Sequence, residues 1–562
     1  MLNKIIRIAV LFAFFVPVFF ANATSEAEYK KLSKTWLLNA DGSQEYRYQM
    51  ELTLFTHTAM NGTYGETFVV YNPHFQEVKI NSSYTKQKDG NIVKTPANAF
   101  VEVLPRNAAN APAYNHMKEL VIVHTGLELG ATIYLDYTIK SKPGYLPALD
   151  VFEVIPQKSP VCDYTLSVIT PEDVDLSCKL TMKKGSPSVK SVDGMRHTIW
   201  KLHHVPSISQ SDFVALANGD IPYLAATTYK SKKAAYDVLC RQFDDESQPN
   251  VKSLASKLTH GKSGVEAKIK VISDFVNHQI AANGLSLQQT GYRIRPVAEV
   301  LRTVYGTDIE KFNLFLSLLN AAGVKAEPVV TYPVGAEEGL GLCAIKHFYA
   351  SVENGTYLLN FKNFARPSDV EFGLVPYFQM LDGKSVFSRN PRQYQIKGNY
   401  TLGVGKKGVS LNVDENVGGS LLSYFQEGRR TRTEMQNLKV QKGYATYVLP
   451  ESASAFSRLS FGTLNSRRDA NLLLPRLVDE TYSYLIRCSD SVSLCTPEKI
   501  SKISNAAGEV SIAITKSDDN VHVKRSIKLK KQLYTPSEYK NLRELLINWQ
   551  DANGKTLLFR YH

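Results

Sequence analysis

Three side chains in the middle of the 562-residue chain have the types and spacing of a reacting centre: Asp308, His347 and Asn360. Asp308 stands in "VYGTDIEKFNLFLSLLNAAG", where Thr307 can cap a helix and Glu310, three residues on, can reach back to close a capping box. A carboxylate in the first turn of that helix is stabilised by the helix dipole, which lowers its pKa and makes it a poor base. His347 lies in the strand candidate "AIKHFYASV" and Asn360 in "TYLLNF". Between them, Glu353-Asn354-Gly355-Thr356 reads as a two-residue hairpin turn. Pairing Glu353 with Thr356 sets His347 opposite Lys362 and puts Asn360 diagonal to His347 on one face. Such neighbours lie about 7–8 Å apart at Cα, close enough for an amide to meet an imidazole. Taken alone, His347 is better read as a satisfied core histidine.

Other chemistries find no support. The chain has no zinc-ligand spacing, no HExxH, no Gly-rich phosphate loop and no serine elbow, so neither metal nor cofactor is expected. Of six cysteines, Cys343 shares a strand face with His347 but is four residues away, about 13 Å at ~3.3 Å per residue. Cys240 sits in a helical stretch, "AAYDVLCRQF". Cys162/Cys178 and Cys488/Cys495 are close enough in sequence to pair locally, although connectivity cannot be read from sequence.

The elements that must position these residues change grammar along the chain. From about residue 30 to 215 the pattern is β: "EYRYQMELTLF" and "TIYLDYTI" alternate, and Asp89-Gly90 signals a hairpin. This predicts an antiparallel sandwich or curved sheet. From about 235 to 330 the period is helical, with "GVEAKIKVISDFVNHQI", "RPVAEVLRTVYG" and "DIEKFNLFLSLLNAAG", the last stopped by Gly323. Three strand candidates follow: "KAEPVVTY", "AIKHFYASV" and "TYLLNF". From about 400 the chain is again mainly β and closes on a helix, "TPSEYKNLRELLINW", with Thr535 as cap, Pro536 at the first position and Glu538 completing a second capping box.

A chain of this length is too long for one core. Hydrophobic residues make up 43% and charged residues 21%, which is ordinary globular composition. Residues 1–23, with Lys4 and Arg7 flanking "IAVLFAFFVPVFF" and Ala21-Asn22-Ala23 at a cleavage site, have the pattern of a secretory signal peptide. No later stretch is long and apolar enough to span a bilayer. The formal charge is +13, and removing the signal takes away two positive charges and no negative one, leaving +11. The lysines and arginines are scattered. "VHVKRSIKLKK" alternates as a strand with a solvated face, so nucleic acid is not an expected partner.

The residues quoted around Asp308, His347 and Asn360 resemble the core of the transglutaminase-like superfamily, which is related to papain-type cysteine proteases. The resemblance rests on "GYRIRPVAEVLRTVYGTDIEKFNLFLSLLNAAGVKAEPVV" followed by "IKHFYASVENGTYLLNF". It implies a multidomain α+β chain: signal peptide 1–23, a β-sandwich-like N-terminal domain (domain of unknown function 3857) over 24–220, a transglutaminase-like, cysteine-protease-like α+β core over 221–395, and a mainly β domain with a terminal helix over 396–562. It also implies export into the periplasm or to the cell surface of a Gram-negative bacterium. Carried over by position, the family's Gly-Asp-Cys-Lys-Asp-Lys falls on Gly306-Thr307-Asp308-Ile309-Glu310-Lys311. Asp308 then stands at the nucleophile's place, His347 at the family His and Asn360 at the family Asp.

A Cys-His-Asn triad is competent in papain-like enzymes, so Asn360 is tolerable. Asp308 is not, because carboxylate attack on an amide would leave a mixed anhydride, uphill from the amide. The carboxylate keeps the negative charge, and with it an ion pair to His347, but loses the nucleophile. The expectation is a catalytically inactive binding or scaffold module of the cell envelope that takes a peptide, amine or glycan. Two alternatives stay open. Asp308 and His347 could form an acid–base pair that activates water, or the β domains could carry the function with the core as a spacer. Oligomeric state is not legible.

Overall fold

The computed structural model describes residues 25–562 apart from 182–184, 209–212, 215–220, 244–247, 333–340, 346, 353–356, 363, 366–376, 381–385, 388–393, 420–426, 459–463, 469, 475 and 518–519. Three large hydrophobic cores follow one another along the described residues, and a smaller cluster around Tyr114, Met117, Leu285 and Tyr305 lies between the first two.

The first core lies under an eight-stranded sheet in the order Ser188–Val192, Met195–Val205, Val161–Pro171, Ala27–Leu38, Gln44–Leu54, Thr132–Ser141, Gln76–Lys86, Ile92–Lys94. The alternation in "EYRYQMELTLF" and "TIYLDYTI" is that of neighbouring strands, registered Tyr48 to Tyr137 and Leu52 to Ile133. The Asp89-Gly90 hairpin forms, with Gly90 at φ +94° in the left-handed region that its turn requires. One pair departs from the antiparallel expectation: Ala27–Leu38 runs parallel to Val161–Pro171. More than a hundred residues separate these strands, ample for the crossover that parallel pairing needs. Two three-stranded sheets complete the domain, one of them with Tyr223–Thr227 between Ser177–Leu180 and the edge strand Asp150–Val154.

Among the described residues the middle of the chain supplies five α-helices: α1 (Lys232–Cys240), α2 (Pro249–Thr259), α3 (Val265–Gln279), α4 (Val297–Thr303) and α5 (Asp308–Ala321). Every residue of α5 from Ile309 to Leu319 is buried, so it is the axis of this core rather than an amphipathic surface helix. It ends at Gly323, φ +75°, where Val324 N–H reaches back to the Leu319 carbonyl at 2.9 Å. Beside it is a six-stranded antiparallel sheet ordered Phe364–Ala365, Tyr357–Leu359, His347–Val352, Ala326–Tyr332, Tyr377–Met380, Val386–Phe387.

The third core packs a seven-stranded sheet, with Gln395–Gly405 and Asp479–Cys488 at its centre, against α6 (Tyr539–Gln550). Here the structure corrects the expected helix start. Glu538 does accept the Thr535 N–H at 3.0 Å, but that bond closes a turn, and α6 begins only at Tyr539 with no side-chain cap. None of the six cysteines is in a disulfide. Cys162 and Cys178 stand on strands of different sheets, which sequence proximity does not reveal. No helix among the described residues is long and apolar enough to cross a membrane.

Candidate functional site

The capping box foreseen at the head of α5 is complete. Thr307, extended at φ −65° and ψ 166°, is the N-cap; its hydroxyl accepts the Glu310 N–H at 3.4 Å, and the Glu310 carboxylate accepts the Thr307 N–H at 2.8 Å. Asp308 is therefore the first helical residue. Its side chain keeps 70% of its surface exposed, where the positive end of the helix dipole favours its charge.

The ion-pair partner of Asp308 is Lys362, Oδ1 to Nζ 3.1 Å, and not the imidazole of His347 that the sequence suggested. The Lys362 backbone N–H in turn donates to Asn360 Oδ1 at 2.8 Å, and Asn360 Nδ2 donates to the Phe348 carbonyl at 3.2 Å, next to His347. One hydrogen-bonded string thus runs from the helix N-terminus through Lys362 and Asn360 to the strand that carries His347. The observed ladder, Ala350 with Leu359 and Val352 with Tyr357, has the register that also sets His347 opposite Lys362. The turn residues that fixed this register in the sequence, Glu353–Thr356, lie outside the described residues. His347 is exposed and pairs in register with Thr331, so the reading of it as a satisfied core histidine does not hold. Its ring lies 6.3 Å from that of Tyr349.

Lys311 adds a second cation. It is 2% exposed, its Nζ donates to the Ile280 carbonyl at 2.5 Å and stands 5.1 Å from the Phe361 ring centroid; the Lys362 ammonium lies 5.3 Å from the same ring. Burial depresses the Lys311 pKa, Lys362 adds to that shift and Asp308 opposes it. The Asp308 carboxylate thus meets the Lys362 ammonium in front of a helix N-terminus, while the Lys311 ammonium is committed to the Ile280 carbonyl.

Beneath this rim lies a support that sequence reasoning did not find. Glu310, fully buried, forms a two-toothed pair with Arg295: Nε to Oε1 and Nη2 to Oε2, each 3.0 Å. Tyr114, from the N-terminal domain, donates its hydroxyl to the same carboxylate at 2.5 Å. The Arg295 guanidinium stacks near Tyr305 at 4.5 Å, and the Tyr305 hydroxyl accepts the Ala113 N–H at 2.7 Å. Burial, then the charge of Glu310, pushes the Tyr114 hydroxyl pKa well up, so it stays a donor. A pairing of residues 196 positions apart leaves no local signal. Only the capping-box glutamate marked one end of it.

Three comparisons place this geometry. A family model for the transglutaminase-like superfamily matches residues 252–361, and models for two domains of unknown function, DUF3857 and DUF3858, match residues 40–209 and 444–559. A crystal structure of a provisionally named protease from Parabacteroides distasonis is similar at 38% identity and a TM-score of 0.78, covering 96% of this chain and 100% of its own. A provisionally named cysteine protease from Cytophaga hutchinsonii aligns with 52% of this chain and 90% of its own, at 11% identity and a TM-score of 0.19, too slight to bear on fold or chemistry. No curated protein matches. With its buried axial helix, its antiparallel sheet and a β-rich domain on either side, the chain belongs to the transglutaminase-like superfamily.

Proposed function

We propose that the protein is an exported, catalytically inactive transglutaminase-like module that binds its ligand at the head of α5 without turning it over. The observation that carries the reading is the Asp308–Lys362 ion pair at the first position of the helix. An acyl-transfer centre of this superfamily's type needs a thiolate at that point; carboxylate attack on an amide would leave a mixed anhydride, uphill from the amide. None of the six cysteines belongs to the hydrogen-bonded string that joins Asp308 to the His347 strand. The helix N-terminus and Lys362 offer donors for a peptide carbonyl or carboxylate, which agrees with the proteolytic name given to the Parabacteroides protein. The N-terminal pattern supports export to the periplasm or cell surface. The acid–base alternative has less support, because Asp308 is engaged by Lys362 rather than by His347.

The test compares wild type, Asp308→Ala and Asp308→Cys on envelope peptides by mass spectrometry. The expected result is no cleavage or amine transfer by wild type or Asp308→Ala. Peptide retention is expected to fall in Asp308→Ala.

A further inference from the structure

Two imidazoles stand together in the N-terminal domain, outside the site at Asp308. The strands Glu66–Tyr71 and Lys118–Val123 are antiparallel neighbours, with Tyr71 opposite Lys118. The chain leaving the first and the chain entering the second therefore meet at one end of their sheet, and there His74 faces His116. The ring centroids are 5.1 Å apart, with an interplanar angle of 52°. We propose that His74 and His116 together bind one divalent transition-metal ion of the Zn²⁺, Ni²⁺ or Cu²⁺ type.

The spacing is that of a shared ion. Two imidazoles on one tetrahedral metal, each nitrogen at about 2.0–2.1 Å, hold their ring centroids about 5 Å apart.

The orientation of His116 is that of a ligand. Asn72, 5% exposed, accepts the His74 N–H on its Oδ1 at 3.1 Å, and its Nδ2 lies 3.5 Å from His116 Nε2. An amide nitrogen only donates, so Nε2 carries the lone pair of this imidazole and Nδ1 its proton. The Ala113 carbonyl accepts a hydrogen bond from the same ring. Metal-binding histidines take this form, one nitrogen tied to a carbonyl and the other presenting its lone pair. The Asn72 contact is long, and the Tyr145 hydroxyl already accepts a hydrogen bond from that side chain. An ion can thus replace Asn72 at Nε2 without leaving a buried donor unpaired.

Access and charge select the class of ion. His74 is exposed and His116 half-buried, so solvent reaches the pair. Lys142 donates to the His74 carbonyl at 2.9 Å, and the Arg293 guanidinium lies 4.4 Å from the Phe75 ring centroid. Among the described residues no third His, Cys, Asp or Glu completes a metal-binding group with the two rings. Such surroundings do not hold a hard ion, which needs carboxylates; an ion that favours imidazole nitrogen stays, with water in its other positions. It staples the loop after Tyr71 to the turn Pro112–Tyr114, whose tyrosine reaches Glu310 beneath α5.

Full-length protein freed of metal by chelation is titrated calorimetrically with ZnCl₂, NiCl₂, CuCl₂ and MgCl₂ in turn. The proposal expects saturable binding of at least one of the three transition ions and none of Mg²⁺. It expects at least ten-fold weaker binding of that ion in His74→Ala and in His116→Gln. His74 is exposed, so His74→Ala should keep the thermal transition of wild type and report on the ion alone. Two controls should bind as wild type does: His203→Ala, which removes an exposed His–Asp pair, and Cys178→Ser with Cys495→Ser, which removes the two exposed thiols. No saturable binding of any transition ion, equal binding of Mg²⁺, less than ten-fold weakening in His74→Ala, or lost affinity in either control would each overturn it.

Discussion

Arg295 and Glu310 grip each other through two 3.0 Å contacts directly under the N-terminus of α5, and Tyr114 of the N-terminal domain closes over the same carboxylate. The glutamate that completes the helix cap is thus also the point at which two domains join.

Removing one partner of such a buried pair leaves an uncompensated charge. Arg295→Ala is expected to cost about 3–5 kcal/mol, and Tyr114→Phe about 1.5–3 kcal/mol for one hydrogen bond to a charged group. Urea unfolding of each variant checks this. An Arg295→Ala midpoint equal to wild type would contradict the assigned role.

The Asp308–Lys362 pair should behave oppositely. Its side chains are 70% and 47% exposed, so Lys362→Ala is expected to change stability by no more than about 1 kcal/mol. Its effect should appear in ligand retention instead. A large loss of stability with retention intact would make the pair structural.

Glu480, in the C-terminal domain, is fully buried and accepts hydrogen bonds from Tyr394, the Phe456 N–H and Tyr482. Burial pushes its carboxyl up to about 7, against the pull of those donors. The folded state therefore holds this proton to higher pH than the unfolded chain, whose glutamates titrate near 4.3. The resulting stability is fully present below about pH 4, and it is lost as pH rises through about 7. Glu480→Gln should flatten that slope in thermal melts taken between pH 5 and 7.5; an unchanged slope would assign it to other groups.

Val304 closes α4 at φ +56°, a left-handed conformation costly for a β-branched residue, and its side chain is 55% exposed. Val304→Gly should relieve about 1–2 kcal/mol of strain and lose about 0.5–1 kcal/mol to chain entropy. The net expectation is a small rise in melting temperature, and a fall would show that the valine side chain packs usefully.

The parts of the site that were legible in the sequence are those with local causes. Thr307 and Glu310 announce the cap through their spacing, and alternation in "EYRYQMELTLF" announces its strand. The His347–Lys362 register followed from a turn, but the same arithmetic did not show that Lys362 would reach Asp308, because that contact joins a strand end to a helix start 54 residues earlier. Arg295 and Tyr114 carried no spacing signal at all. The second capping box was legible but misleading: Glu538 meets Thr535 as expected, yet Pro536 and Ser537 stay in a turn and α6 starts later.

The central claim is that Asp308 binds and does not catalyse. The most direct test incubates wild type and Asp308→Ala with envelope extracts and scores amide cleavage and amine transfer by mass spectrometry. The account predicts no such product from either protein. A product formed by wild type and missing with Asp308→Ala would make Asp308 a catalytic residue and contradict it.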